Sequence, residues 1–188
     1  MPKNLITLDE YKAYKGLTNP TQDATISTLI TSVSKLVKKY CECSFVDYVQ
    51  DEKIEHFNGG TEFLILKETP IIEILSIEYS TDYGNTSVEL TEDVDWTLYT
   101  DYVYSTLATG FKKQLKGYQV TYLAGYEELP EDLKLACFDL VTYYLQNDGA
   151  VHSTKAPGTN SVQIEYISTT SLPAHIRRVL DLYKSDFA

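Results

Sequence analysis

The chain has 188 residues, enough for one domain or one domain with an insertion, and its 43% apolar fraction supplies a real core. Twenty-seven acidic residues against sixteen basic ones leave a formal net charge of −11, which argues against general nucleic-acid binding driven by phosphate neutralisation, though DNA can still pass nearby without being held. The N-terminus has no signal-peptide core and no apolar run approaches the roughly 20 residues that span a bilayer, so a soluble protein made in a cytoplasm is expected.

Thr7-Leu8-Asp9-Glu10 has the form of a capping box, with Thr7 as N-cap and Glu10 at N3, and predicts a short helix from Leu8 to about Lys15 ended by Gly16. Asn19-Pro20 is a turn and a new start. From Thr21 the apolar positions Ile26, Leu29, Ile30, Val33, Leu36, Val37 and Tyr40 form one stripe, predicting a helix that ends near Cys43. Lys35, Lys38 and Lys39 fall late in it, where cations suit the negative end of the dipole, and read as a solvated face.

At Ser44 the texture changes to β. Residues 52–57 alternate loosely, Asn58-Gly59-Gly60 signals a turn, and Phe63 to Leu66 reads as the return strand of a hairpin. Pro70 breaks the chain before a strand from Ile71 to Tyr79, and Asp82-Tyr83-Gly84-Asn85 is a turn. Trp96 to Tyr104 alternates as a single strand, with Trp96, Leu98, Tyr102 and Tyr104 on roughly one side. Thr109-Gly110 is the next turn. Val120, Tyr122 and Ala124 then alternate with Gln119, Thr121 and Leu123 in a strand closed by Gly125. One antiparallel block therefore lies between two long helices.

Pro130 with Glu131 and Asp132 opens the second long helix, expected over 131–147. Its stripe is Leu133, Ala136, Cys137, Leu140, Val141, Tyr144 and Leu145. It is expected to pack on helix 21–43 as the core. Asp148 to Asn160 is rich in Ser, Thr, Gly, Lys and Pro and reads as a mobile loop. Ser161 to Ile167 alternates as a strand. Ser171-Leu172-Pro173 opens a last helix with the stripe Ile176, Val179, Leu180 and Tyr183. The fold class is α+β: a small helical bundle with an inserted antiparallel β block at about 44–124 and a C-terminal helix, in a single domain over 1–188.

The chain is poor in chemistry. His56, His152 and His175 sit apart, with no metal-ligand spacing and no nucleophile setting. Cys41, Cys43 and Cys137 read as small buried hydrophobes in a reducing compartment. Glu127, Glu128, Glu131 and Asp132 cluster at a helix start and read as a negative first turn rather than a cation site. Glu92, Asp93 and Asp95 lack the ligand pattern of a calcium loop. No catalytic residue, cofactor or metal is expected. Sixteen tyrosines suit half-buried strands and protein contact surfaces.

The order of elements carries a resemblance. Ile6-Thr7-Leu8-Asp9-Glu10-Tyr11-Lys12 precedes a helix marked by Asp23, Ile26, Leu29 and Ile30. A β block ending in Val120-Thr121-Tyr122-Leu123-Ala124-Gly125-Tyr126 leads into Leu129-Pro130-Glu131-Asp132-Leu133-Lys134-Leu135-Ala136. The chain closes with a loop, one strand, Leu172-Pro173 and a short helix. Over nearly its whole length this resembles the head–tail connector (adaptor, or head-completion) proteins of long-tailed bacteriophages. The resemblance implies a non-enzymatic structural protein of the virion neck, made in the host cytoplasm. It implies a ring, typically of twelve copies, docked under the portal, extending the DNA channel and recruiting the stopper or tail. DNA would pass without specific binding, because an acidic channel wall repels phosphate. The C-terminal segment would reach the portal, which makes Arg177, Arg178, Tyr183, Lys184 and Phe187 the interface candidates. Two other readings stay open on the residues alone: another tail-completion or β-rich binding protein, and a metal-dependent hydrolase.

Overall fold

A computed structural model describes residues 2–82, 84–146, 151–155, 162–166 and 172–184, the last two strands (151–155 and 162–166) by backbone only. The fold is α+β, and its residues group into two compact units, one built on the helices together with the last strand pair and one of strands.

The helical unit spans residues 4–42 and 130–184. Helix α1 (Leu8–Lys15) has the expected capping box: Glu10 N–H donates to Thr7 Oγ1, and Thr7 N–H donates to Glu10 Oε2. Gly16 closes it at φ +65°, a left-handed position that glycine takes without a Cβ clash. A 3-10 turn at Pro20–Gln22 leads into α2 (Asp23–Cys41), which ends when Glu42 turns left-handed, two residues short of Cys43. Helix α3 spans Glu131–Gln146 and α4 spans Ala174–Asp181. Their shared core is Ile26, Ile30, Val33, Val37, Leu133, Cys137, Leu140, Val141, Ile176 and Leu180, all 2% exposed or less. Phe138 is buried too, off the anticipated stripe, because α1 covers a second side of α3: the Tyr14 ring stacks on it at 4.8 Å and Tyr11 lies at 6.2 Å. Tyr144 and Leu145 are only half-buried. Ser34, buried in α2, accepts the Leu5 N–H, so the chain preceding α1 is pinned to the bundle.

The tail of this unit departs from expectation. Val151–Lys155, read as part of a loop, is strand β8, paired antiparallel with β9 (Val162–Tyr166). A Ser/Thr-rich run makes a strand once a partner supplies its ladder, and that partner comes only after the polar connection.

The β unit, residues 43–129 with the first three residues, holds two sheets. The first has the order β1-β7-β3-β4, from Lys53–Phe57, Tyr118–Ala124, Ile71–Tyr79 and Val88–Glu89. The second has the order β2-β6-β5, from Phe63–Ile65, Tyr102–Ser105 and Trp96–Tyr99. Between them lies a core of Leu64, Leu66, Ile77, Trp96, Val103, Phe111, Tyr118, Val120, Tyr122 and Ala124. The central strand β7 is buried along most of its length, as a strand paired on both edges should be.

Two expectations fail here. The run 52–57 and the run 63–66 do not form a hairpin: β1 pairs with β7 and β2 with β6. Asn58-Gly59-Gly60 is instead held by the distant segment 111–116. Gly59 N–H donates to Gln114 O, Gly60 N–H to Phe111 O, and Asn58 Oδ1 accepts Lys116 N–H. A Cβ on Gly59 would stand 1.9 Å from Lys112 O, so the glycine is there for close backbone approach rather than for a tight turn. Nor is 96–104 one strand. It is a hairpin turning at Thr100-Asp101, with Tyr99 facing Tyr102 and Leu98 facing Val103. The two turn residues reverse the phase of the alternation. Val103 and Ser105 therefore join Trp96 in the interior, while Tyr102 and Tyr104 face out.

Burial sets the alkaline behaviour. Desolvation pushes the Cys137 thiol up to about 12 and the Cys43 thiol to about 11, from an ordinary 9.0. It pushes Tyr118 to about 12 from 10.0 and raises Tyr122 further. These groups stay protonated in the fold while the unfolded chain releases their protons near pH 9–10. Stability is therefore full below about pH 9 and falls as the pH rises toward 12. Denaturant midpoints measured from pH 7 to 11 should decline steeply only above pH 9. In the native protein, maleimide should label these two thiols at pH 7 only as fast as the protein opens.

Candidate functional site

Of the interface residues that the resemblance implies, Arg177 and Arg178 lie on α4 and Tyr183 and Lys184 just past its end. Pro173 precedes the helix, and its fixed φ suits the start. Ile176 and Leu180 are buried against α2 and α3, and Cys41 donates its thiol to Leu180 O. Three polar contacts tie the end of the helix to its bundle, and a fourth is local to its start. Tyr40 OH donates to Asp181 Oδ1 at 2.6 Å, which holds that phenol above its ordinary range, with burial adding to the effect. Lys184 Nζ sits 4.6 Å above the Tyr40 ring. Tyr183 OH donates to Asp132 Oδ1. Arg177 Nη2 donates to Leu172 O at 3.3 Å, within the helix's own start.

The anticipated set is thus divided. Arg177 contacts the start of α4, Tyr183 and Lys184 make contacts just past its end, and all three contacts lie inside the unit, although Arg177 and Lys184 are exposed. Arg178 is exposed, and Leu182, which the stripe passed over, is 77% exposed. Phe187 lies outside the described residues.

The other chemistry-bearing residues do not converge. His56 is exposed on β1 opposite Gln119, in a hollow also lined by Glu78, Ser87 and Lys116, and Ser87 Oγ already donates to Glu78 Oε2. His175 is exposed at the start of α4, and His152 falls on β8, whose side chains are not described. Glu131 pairs with Lys134 at 3.1 Å, Asp132 accepts from Tyr183, and Asp95 closes its own turn by accepting Thr91 N–H. Among the described residues no group of three or more His, Cys, Asp or Glu could hold a metal ion, and no helix is long and apolar enough to cross a membrane. Replacing His56, His152 and His175 together should leave folding intact, with the melting temperature within a few degrees of the unsubstituted chain. A large drop in melting temperature would show that a histidine matters.

A surface that the linear reading missed lies on the second sheet. Its register places Phe63 and Ile65 of β2, Tyr102 and Tyr104 of β6, and Thr97 and Tyr99 of β5 on the face away from the core. Tyr99 stacks on Tyr102 at 5.7 Å, Phe63 meets Tyr102 edge-on at 6.0 Å, and Tyr104 meets Tyr99 edge-on at 6.2 Å. The signal was present in the parity: two turn residues between Tyr99 and Tyr102 move the outward set from odd to even numbers.

Comparison with known proteins gives a consistent picture. The family model "Head completion protein" matches residues 4–185. A head completion protein of Escherichia phage T5 is 23% identical over 181 residues, covering 96% of this chain and 98% of that protein. A chain in the neck of an empty GTA particle, computed with C6 symmetry, shares the fold at a TM-score of 0.64 and 12% identity, covering 96% of this chain and 90% of that one. A chain in the neck of a native GTA particle, computed with C12 symmetry, gives 0.60 at 12% identity, covering 98% and 95%.

Proposed function

The chain belongs to the head completion protein family, and from that premise we propose that it is a ring-forming head–tail connector in the neck of a phage virion. In this reading it works as one connector-like domain whose β block is an insertion. Copies assemble under the portal, lengthen the DNA channel and present a platform to the stopper or tail protein. Its role is structural. The observation that carries the reading is the family match from residue 4 to residue 185, which takes in both the helical bundle and the β block.

The physical character of the chain agrees with that role. A net charge of −11 lets phosphate slide past a wall made of such subunits instead of binding it. The exposed end of α4, with Arg178 and Leu182, offers a cation and an apolar side chain to a partner, and the tail beyond it carries Phe187. We assign this end to the portal contact, with Arg177, Tyr183 and Lys184 holding the helix in place beneath it.

The test is particle assembly. Without the chain, infected cells should accumulate heads that fail to join tails, and particles made with it should show a ring of this protein between portal and tail by electron microscopy. Infectious tailed particles that lack the protein would overturn the proposal.

A further inference from the structure

We propose that the outward face of the β2-β6-β5 sheet is a contact between neighbouring copies of this chain in the ring, an inference that rests on the ring reading above. The face holds Phe63, Ile65, Tyr99, Tyr102 and Tyr104 with Thr97, and none of these six positions is charged. The five large side chains are 37–53% exposed although they pack on one another. At roughly 200 Å² per large side chain this leaves about 400 Å² of largely apolar surface. A patch of that size falls in the range that marks binding sites on monomers, and it supplies about half of one partner's share of a standard protein interface. Clustered tyrosines and a phenylalanine are also the side chains that dominate such interfaces, since they bury much area at little entropic cost.

Charge points to a second copy as the occupant. Each copy carries −11, so two copies repel wherever their carboxylates meet, and a stable contact between them needs a surface from which charge has been removed. This face meets that requirement across all three strands. A ring larger than a dimer joins each copy to its neighbours through two different faces, so the aromatic face meets another surface of the next copy rather than itself.

The experiment places a photo-reactive benzoylphenylalanine at Tyr99 in the full-length chain and irradiates particles assembled with it. An aromatic replacing a half-exposed aromatic preserves folding, which the melting temperature checks. The expected product is a covalent dimer of this chain, with the link from position 99 to a different surface of the second copy mapped by mass spectrometry. Linkage to a different protein, or no linkage in particles that contain the ring, overturns the inference and leaves the ring standing. As a second reading, the variant with Tyr99→Ser and Tyr102→Ser should keep its melting temperature within a few degrees and lose at least tenfold in ring occupancy; unchanged occupancy would also overturn it. If the unsubstituted chain forms no ring in particles, the proposed function itself falls, and this contact falls with it.

Discussion

A chain ending after Tyr183 is expected to fold like the full-length protein and to lose portal binding completely. The fold should survive because the buried positions of α4, Ile176 and Leu180, both precede the cut, as does Asp181, which accepts the Tyr40 hydroxyl. Tyr183 is retained too, and with it the contact to Asp132. Among the described residues, what the truncation removes from the bundle is Lys184 over the Tyr40 ring, worth about 0.5–1 kcal/mol for an exposed pair. Binding should fail because the proposed anchor, Phe187, goes with it, and an aromatic that fills a pocket carries a disproportionate share of an interface's energy. In a ring the loss is amplified: each weak site raises the effective concentration of the next, so losing one contact from every copy weakens all of them at once. Circular dichroism would establish that the truncated chain folds, and co-sedimentation with purified portal would read binding. Normal co-sedimentation would move the portal contact away from the tail. Arg178→Glu in the full-length chain would then report whether the exposed face of α4 binds in its place.

Leu140→Ala should remove about 2–5 kcal/mol of stability, the range for truncating a leucine whose surroundings collapse only in part. Leu140 is 0% exposed, and the side chains sharing its core come from several elements: Ile30, Val33 and Val37 from α2, Ile176 and Leu180 from α4. Those helices are held by contacts such as Lys12 with Asp23 at 2.9 Å and Tyr40 with Asp181 at 2.6 Å, so they cannot simply close on the space left behind. Urea denaturation of the variant should show a midpoint lower by more than any exposed substitution produces, with Leu135→Ala as the control, since Leu135 on the same helix is 46% exposed. Equal midpoints for the two variants would mean that α3 is not the core helix.

The helices were legible in the sequence because the forces that define them act within a turn or two. The capping box at Thr7 and Glu10, the left-handed stop at Gly16, the proline before α3 and the three- and four-residue spacing of Ile26, Ile30, Val33 and Val37 are all local statements, and each stands where it was expected. The central strand was legible too, since alternation and Gly125 lie within nine residues; Gly125 adopts φ +115°, and a Cβ there would meet Phe45 O at 2.2 Å. The partners of the strands were not. Asn58-Gly59-Gly60 has the composition of a hairpin turn, yet its amide groups are claimed by residues 111–116, more than fifty positions away. The same holds for β8, which is a strand only because β9 pairs with it. A strand's hydrogen bonds and the direction of its side chains depend on which segment lies beside it, and a two-residue turn exchanges the inner and outer faces. The helical bundle therefore belonged to the sequence by itself. The aromatic face of Phe63, Tyr99, Tyr102 and Tyr104 exists only once β2, β6 and β5 have come together in register.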